Sequence, residues 1–246
     1  FMRNLVIDIG NTRIKYGIFL EGKLIQEETQ QHLVGNDIFR LATNHRIENI
    51  IYSSVAANLP EDLYEELHPI YKVFELTHQL SLPFTNAYAT PQTLGKDRLA
   101  AAAGALNWYP GYTCLVVDAG TCITLDVLRA DGVYLGGNIS PGVRMRLRAM
   151  HEQTARLPLV EPGSPPAIWG TSTETALQNG ALLGAALEIE ALAMRLGQQW
   201  PDLKIVLTGG DSPFLANSLE CKIFVHSNLV LYGLNKILTY NVEELV

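Results

Sequence analysis

The sequence predicts an α/β chain made of two copies of one β-β-β-α-β-α unit, and three internal echoes predict it. "LVIDIGNT" at residues 5 to 12 returns as "LVVDAGT" at 115 to 121, each an apolar run that ends in Asp, Gly and Thr. "RIKYGIFLEGKLIQE" and "ITLDVLRADGVYLGG" then share a strand, an acidic-Gly turn and a second strand. "ENIIYSSVAANLPEDL" (48 to 63) and "KIVLTGGDSPFLANSL" (204 to 219) each read as a strand closing in small residues before a loop and helix. Two unrelated turns that look alike would explain the first echo but not the ordered echoes after it. The expected halves are 1–112 and 113–246. Facing each other, they place an Asp-Gly loop on each wall of one cleft, and such clefts are where small-molecule sites concentrate.

Each element follows from local pattern. Residues 5 to 9, 13 to 20 and 23 to 28 are short apolar or alternating runs, with Glu21-Gly22 as a hairpin turn. A helical patch near 36 to 44 precedes the buried strand "ENIIYSSV". Pro60 and "EDLYEELH" then give an amphipathic helix with acid in its first turn. From Thr77 to Lys96 the chain is polar and Pro-containing, a long loop of the kind that tends to be functional or disordered. "DRLAAAAGALNWY" is a helix by propensity, with Asp97 where an N-cap would sit.

Composition narrows the function classes. The chain has 246 residues, 48% of them hydrophobic and 17% charged, with a formal net charge of −7. That is an ordinary globular balance. It lacks the basic excess of a nucleic-acid binder. Cys114, Cys122 and Cys221 are odd in number and form no C-x-x-C pair, so reduced thiols in a cytoplasm are expected rather than a disulfide framework or zinc knuckle. No apolar run spans a bilayer, and no signal-peptide pattern opens the chain. No membrane or nucleic-acid partner is expected.

Two carboxylates at strand ends suggest a cation that neutralises phosphates. Gly10 lets the hairpin pass close to a phosphate, Thr12 and backbone amides supply donors, and Asp8 can hold magnesium through water. Asp118, Gly120 and Thr121 repeat that geometry. One copy alone reads as a turn; two in register read as a site. Cys122 has no basic neighbour to lower its pKa and is assigned no catalytic role. In "LGKDR" (94 to 98), Asp97 is either a helix N-cap or the carboxylate a kinase needs to accept a hydroxyl proton beside an Arg, and the two readings are even. "LGGNISPG" leads into a helix with Arg144, Arg146 and Arg148, which reads as a solvated or partner-facing surface. In "TGGD" (208 to 211), two glycines would let a base or ribose lie against backbone. The P-loop, the dinucleotide G-x-G-x-x-G, H-E-x-x-H and G-x-S-x-G are all missing from the sequence, and the six histidines are scattered.

As a set, these features resemble a known family. The duplicated halves look like the acetate and sugar kinase, heat-shock chaperone ATPase and actin superfamily, whose domains are actin-like (ribonuclease H-like). Within it, "DIGNTRIK", "GKDR", "DAGTCIT", "GGNISPG", "TGGD" and "NLVLYGL" occur in the order seen in type III pantothenate kinases, over nearly the whole chain. The resemblance implies ATP-dependent phosphorylation of pantothenate to 4′-phosphopantothenate. It assigns Asp8, Ile9, Gly10, Asn11, Thr12, Arg13, Ile14 and Lys15 to the ATP-phosphate loop and Thr121 to a second nucleotide contact. Asp97 matches the proton acceptor, and Gly95, Lys96, Asp97 and Arg98 form the pantothenate-binding turn with Tyr88 lining the same pocket. Asp118 matches a monovalent-cation ligand for K⁺ or NH₄⁺, and Asp8 lies on the Mg²⁺ side. Thr173 matches a substrate contact supplied by the partner subunit, which implies a homodimer, and the resemblance also implies insensitivity to coenzyme A. Lys96 is bulkier than the family's usual residue, and Lys15 puts a cation at the loop's edge; either touches phosphate or is merely solvated. The alternatives are another small-molecule kinase or polyphosphate phosphatase of this fold, or a non-catalytic nucleotide-binding regulator.

Overall fold

The first hairpin forms where its turn chemistry demands it. Arg3–Ile9 (β1) pairs antiparallel with Ile14–Leu20 (β2), and β2 with Lys23–Gln30 (β3). Glu21 and Gly22 take φ of 48° and 78°, the consecutive left-handed pair of a two-residue I′ turn. This geometry comes from a computed structural model that describes residues 2–10, 13–31, 35–54, 61–164 and 167–244. The sequence readings for Asn11 and Thr12 lie outside the described residues.

Gly35–Asn44 (α1), Asn49–Ser54 (β4), Glu61–Leu67 (α2) and Lys72–Glu75 (β5) follow. β4 runs parallel to β1 and β5 parallel to β4, so the sheet order is β3-β2-β1-β4-β5. The long loop contains the short strand Thr85–Asn86 (β6) and a 3₁₀ turn at Pro91–Thr93, then Lys96–Trp108 (α3) begins. Cys114–Ala119 (β7), Cys122–Leu128 (β8), Val133–Pro141 (β9), Val143–Glu152 (α4), Thr173–Gln199 (α5), Lys204–Thr208 (β10), Ser212–Ala216 (α6), Ile223–Val225 (β11) and Leu229–Glu244 (α7) complete the chain. The second sheet reads β11-β10-β7-β8-β9, with β6 beyond β9. Replacing β1 to β5 by β7 to β11 reproduces the first sheet's order. The repeat seen in sequence is therefore a repeat of topology, and the strand "KIVLT" occupies the position of "NIIYSS".

Contacts divide the chain into Phe1–Pro110 with Gly132–Tyr134 and Asn228–Val246, and Gly111–Asp131 with Leu135–Ser227. A single cut near residue 112 thus leaves α7 on the wrong side, because α7 packs on α3 and on β1, β2 and β4. Two glycines explain how close that packing is. A Cβ on Gly233 would lie 1.7 Å from the Ala100 carbonyl oxygen, and one on Gly104 would lie 2.3 Å from that of Leu229. Backbone meets backbone there, which only glycine permits.

In the first unit's sheet the two faces differ in kind. Leu5, Ile7, Tyr16, Ile18, Ile50 and Tyr52 share one cluster with Ile38 and Ala42 of α1. The alternate residues face α7, as strand periodicity requires. Asn49 Nδ2 donates to Asn4 Oδ1 at 2.9 Å, and Asn4 Nδ2 donates to Asn235 Oδ1 at 2.8 Å, all three side chains buried and mutually satisfied. One row on, Leu231 of α7 comes within 3.2 Å of where a Cβ on Gly17 would sit. Tyr232 packs edge-on against Phe19 and Trp108.

Candidate functional site

Asp8 is the third member of that face. The register pairs Asp8 with Lys15 across β1 and β2 and with Ser53 across β1 and β4. Lys15, Asp8 and Ser53 therefore form one row across the sheet, two residues beyond the apolar row and four beyond the asparagines. Lys15 Nζ donates to Asn228 Oδ1 at 2.5 Å, immediately before α7. The backbone closes behind this row, with the Gly10 N–H donating to the Arg13 carbonyl at 3.0 Å. Ile9 pairs with Ile14 at the hairpin's edge, and Arg13 is exposed.

The first turn of α3 brings a second carboxylate to this face. Burial pushes the Asp8 carboxyl up to about 6, the charge of nearby Asp97 adds to the rise, and the Lys15 ammonium opposes it. A half-buried pair of carboxylates with one ammonium beside it is the kind of cluster that marks functional sites.

Asp97 is not the helix N-cap that its position suggests. The cap is Gly95, which has no capping side chain, and Asp97 sits in the first turn with Oδ1 accepting from the Arg98 N–H at 2.9 Å. A Cβ on Gly95 would lie 2.4 Å from Asp97 Oδ1, so the glycine makes room for the carboxylate. Arg98 is 5% exposed, and its guanidinium lies 5.6 Å from the centre of the Tyr88 ring. Tyr88 in turn packs on buried Tyr134, and its N–H is held by Asn86 Oδ1 at 3.0 Å. Asp8, Lys15, Tyr88, Gly95, Lys96, Asp97 and Arg98 all belong to the first unit.

Lys96 is half-buried and held by an ion pair. Its Nζ lies 2.9 Å from Glu75 Oε1, and the same carboxylate accepts from Tyr52 O–H at 3.1 Å. The burial of Tyr52 and the Glu75 charge raise the phenol's pKa. Glu75 thus ties β4 and β5 to the first turn of α3. Sequence reading gave no signal for Glu75, since nothing local marks an acid that closes a short strand.

In the second unit, Asp118 ends β7 as Asp8 ends β1, and its in-register neighbours are Thr124 and Thr208. Gly209 takes φ of +94°, and a Cβ there would lie 2.4 Å from Asp118 Oδ1. The first glycine of "TGGD" therefore clears the aspartate, while Gly210 stands in open space. Gly210 lines a cavity of about 280 Å³ with Arg144, Pro162, Asp211, Pro213 and Phe214. Thr121 is exposed, and its carbonyl accepts from the Gly142 N–H at 3.0 Å. Arg144 pairs with Glu161, and Arg146 with Glu188 at 2.5 Å. Thr173 is exposed at the start of α5, which Ser172 and Thr175 cap reciprocally. Among the described residues no group of three or more His, Cys, Asp or Glu side chains is placed to hold a metal ion. No described helix is long and apolar enough to cross a membrane.

Comparison with known proteins shows the family. The family model described as type III pantothenate kinase matches residues 4–195. A type III pantothenate kinase of Christiangramia forsetii is 43% identical over 243 residues, covering 97% of this chain and 98% of that protein. Among solved structures, a Baf family protein from Campylobacter jejuni superposes with a TM-score of 0.59 at 27% identity, covering 97% of this chain and 99% of that one. ROK hexokinase from Thermus thermophilus superposes with a TM-score of 0.55 at 14% identity, over 99% of this chain and 100% of that one, a likeness of fold. The fold is the duplicated actin-like α/β fold, and the chain belongs to the type III pantothenate kinase family.

Proposed function

We propose that this chain transfers the γ-phosphoryl group of ATP to the primary hydroxyl of pantothenate, giving 4′-phosphopantothenate and ADP, the first step of coenzyme A biosynthesis. The observation that carries the site assignment is the pair Asp8 and Asp97, close enough that the Asp97 charge helps to raise the Asp8 carboxyl's pKa. In this reading the acceptor oxygen attacks the γ-phosphorus in line as the bond to ADP breaks, and Asp97 takes the hydroxyl proton late, because the transition state is loose. Arg98, buried and stacked on Tyr88, gives its charge to the anionic acceptor, and Gly95 keeps the approach to Asp97 open. Glu75 holds Lys96 at the rim of the acceptor turn.

The Asp8 to Lys15 segment takes the nucleotide's phosphates, with Lys15 as the fixed cation. Mg²⁺ suits this segment: Asp8 holds it through water, as Mg²⁺ prefers, and it neutralises phosphate charge when bound. Thr121 is carried as a further nucleotide contact on the resemblance of its Asp-Gly-Thr turn. Asp118 is the ligand for a monovalent cation. The protein acts as a homodimer in which Thr173 contributes to the partner subunit's acceptor site.

The test is ATP consumption and product formation with pantothenate, with hexoses, and with water alone. Phosphopantothenate formed only in the first arm supports the reading; turnover on hexose or on water alone removes it.

A further inference from the structure

Ser53 is fully buried near the end of β4, and its Oγ has no hydrogen-bond partner among the described residues. A buried hydroxyl in that state costs free energy that an alanine of nearly the same size avoids. Its place in the sheet indicates what the cost maintains. Ser53 is the in-register parallel neighbour of Asp8, and neighbours in register project from the same face. The same two strands already carry one cross-strand polar pair in register: Asn4 and Asn49, four residues earlier, share a 2.9 Å hydrogen bond. For a serine, a turn about Cα–Cβ to another staggered rotamer is enough to aim the hydroxyl across.

We infer that Ser53 is a positioning residue for phosphoryl transfer, its hydroxyl donating to the Asp8 carboxylate and holding it in the orientation that serves the nucleotide. This rests on the assignment of Asp8 to the nucleotide phosphates above. The second unit keeps the device: Thr208, 2% exposed, stands beside Asp118 at the equivalent register position. Across the other edge of each carboxylate the neighbour changes from Lys15 to Thr124, yet a buried hydroxyl remains on the parallel side in both copies.

Ser53→Ala and Ser53→Thr, compared with the unaltered protein, decide this through melting temperature, MgADP affinity by calorimetry, and kcat and KM for pantothenate. Ser53→Ala is expected to melt no lower than the parent, to lose about 10-fold in kcat with KM for pantothenate unchanged, and to bind MgADP several-fold more weakly, the scale of a lost hydrogen bond to a charged group. Ser53→Thr, which keeps the hydroxyl, restores most of both losses. Parental kcat and MgADP affinity in Ser53→Ala overturn the inference, as do losses that track a lowered melting temperature and persist in Ser53→Thr. If the parent binds MgADP but does not phosphorylate pantothenate, the acceptor reading fails alone. The MgADP affinity ratio then still decides Ser53: near unity overturns it, and several-fold weakening supports it.

Discussion

The two strand-end aspartates occupy the same place in two copies of one sheet, yet they keep different company. Asp8 has Lys15 on its antiparallel side and Ser53 on its parallel side; Asp118 has Thr124 and Thr208. Asp8 also has the α3 carboxylate Asp97 near it. Duplication preserved the strand, the turn and the acid, and divergence acted on the neighbours. The proposed function gives the copy with the ammonium to the phosphates and the copy with the hydroxyls to a monovalent cation. The comparison teaches that equivalent backbone does not mean equivalent chemistry: the row across the sheet sets the role.

The largest effect expected of breaking this arrangement is at Asp97. Asp97→Asn removes the proposed proton acceptor and is expected to lower kcat by ~10²- to 10⁴-fold while MgADP binding persists in calorimetry. A near-normal kcat would return Asp97 to a structural part of the first helical turn.

Asp8→Asn sharpens the comparison because it separates function from stability. With its folded pKa raised to about 6, Asp8 favours the protonated state in the folded chain. Between about pH 4 and pH 6 the folded protein holds a proton that the unfolded chain has released, so this group's contribution to stability is most favourable below that window and declines as pH rises through 6. At pH 7 the ionised carboxylate costs on the order of 2 to 3 kcal/mol, a penalty that Asp8→Asn lifts. Urea unfolding at pH 4 and pH 7 should show Asp8→Asn gaining on the parent mainly at pH 7, with turnover sharply reduced. A variant less stable than the parent at pH 7 would remove the burial argument.

Gly233→Ala tests whether α7 sets the position of α3. The added methyl overlaps the Ala100 carbonyl, one turn after Asp97, and is expected to cost about 1 to 3 kcal/mol in urea unfolding. The smallest effect is expected at Glu75. Glu75→Gln weakens a half-buried pair with Lys96 and should change stability by no more than ~1 kcal/mol, with KM for pantothenate rising before kcat falls. A change in KM for ATP alone would place Lys96 on the nucleotide side.

Much of this was legible because repeats and turn chemistry are local. The Asp-Gly returns, the Glu21-Gly22 hairpin and the strand at 204 to 208 follow from short-range pattern, and each forms where expected. What escaped depends on contacts distant in sequence. Asp97 reads as a cap until the helix is seen to begin one residue before it, capped by Gly95. Glu75 meets Lys96 across 21 residues, and Lys15 meets Asn228 across 213, separations at which sequence gives no geometric signal. α7 crosses back to the first unit because Gly104 and Gly233 let it seat against α3, a pairing invisible to either segment alone. Ser53 lay inside a recognised echo, and its register beside Asp8 gives it meaning.

The divergence of the two aspartates is tested most directly by the potassium dependence of pantothenate phosphorylation at saturating ATP, measured for the parent, Asp118→Asn and Asp8→Asn. The account predicts that the parent rate rises with potassium, that Asp118→Asn is slow and indifferent to it, and that the residual rate of Asp8→Asn still responds. An Asp118→Asn enzyme that keeps the parent's potassium response, or an Asp8→Asn enzyme that loses it, would contradict the separate roles assigned to the two copies.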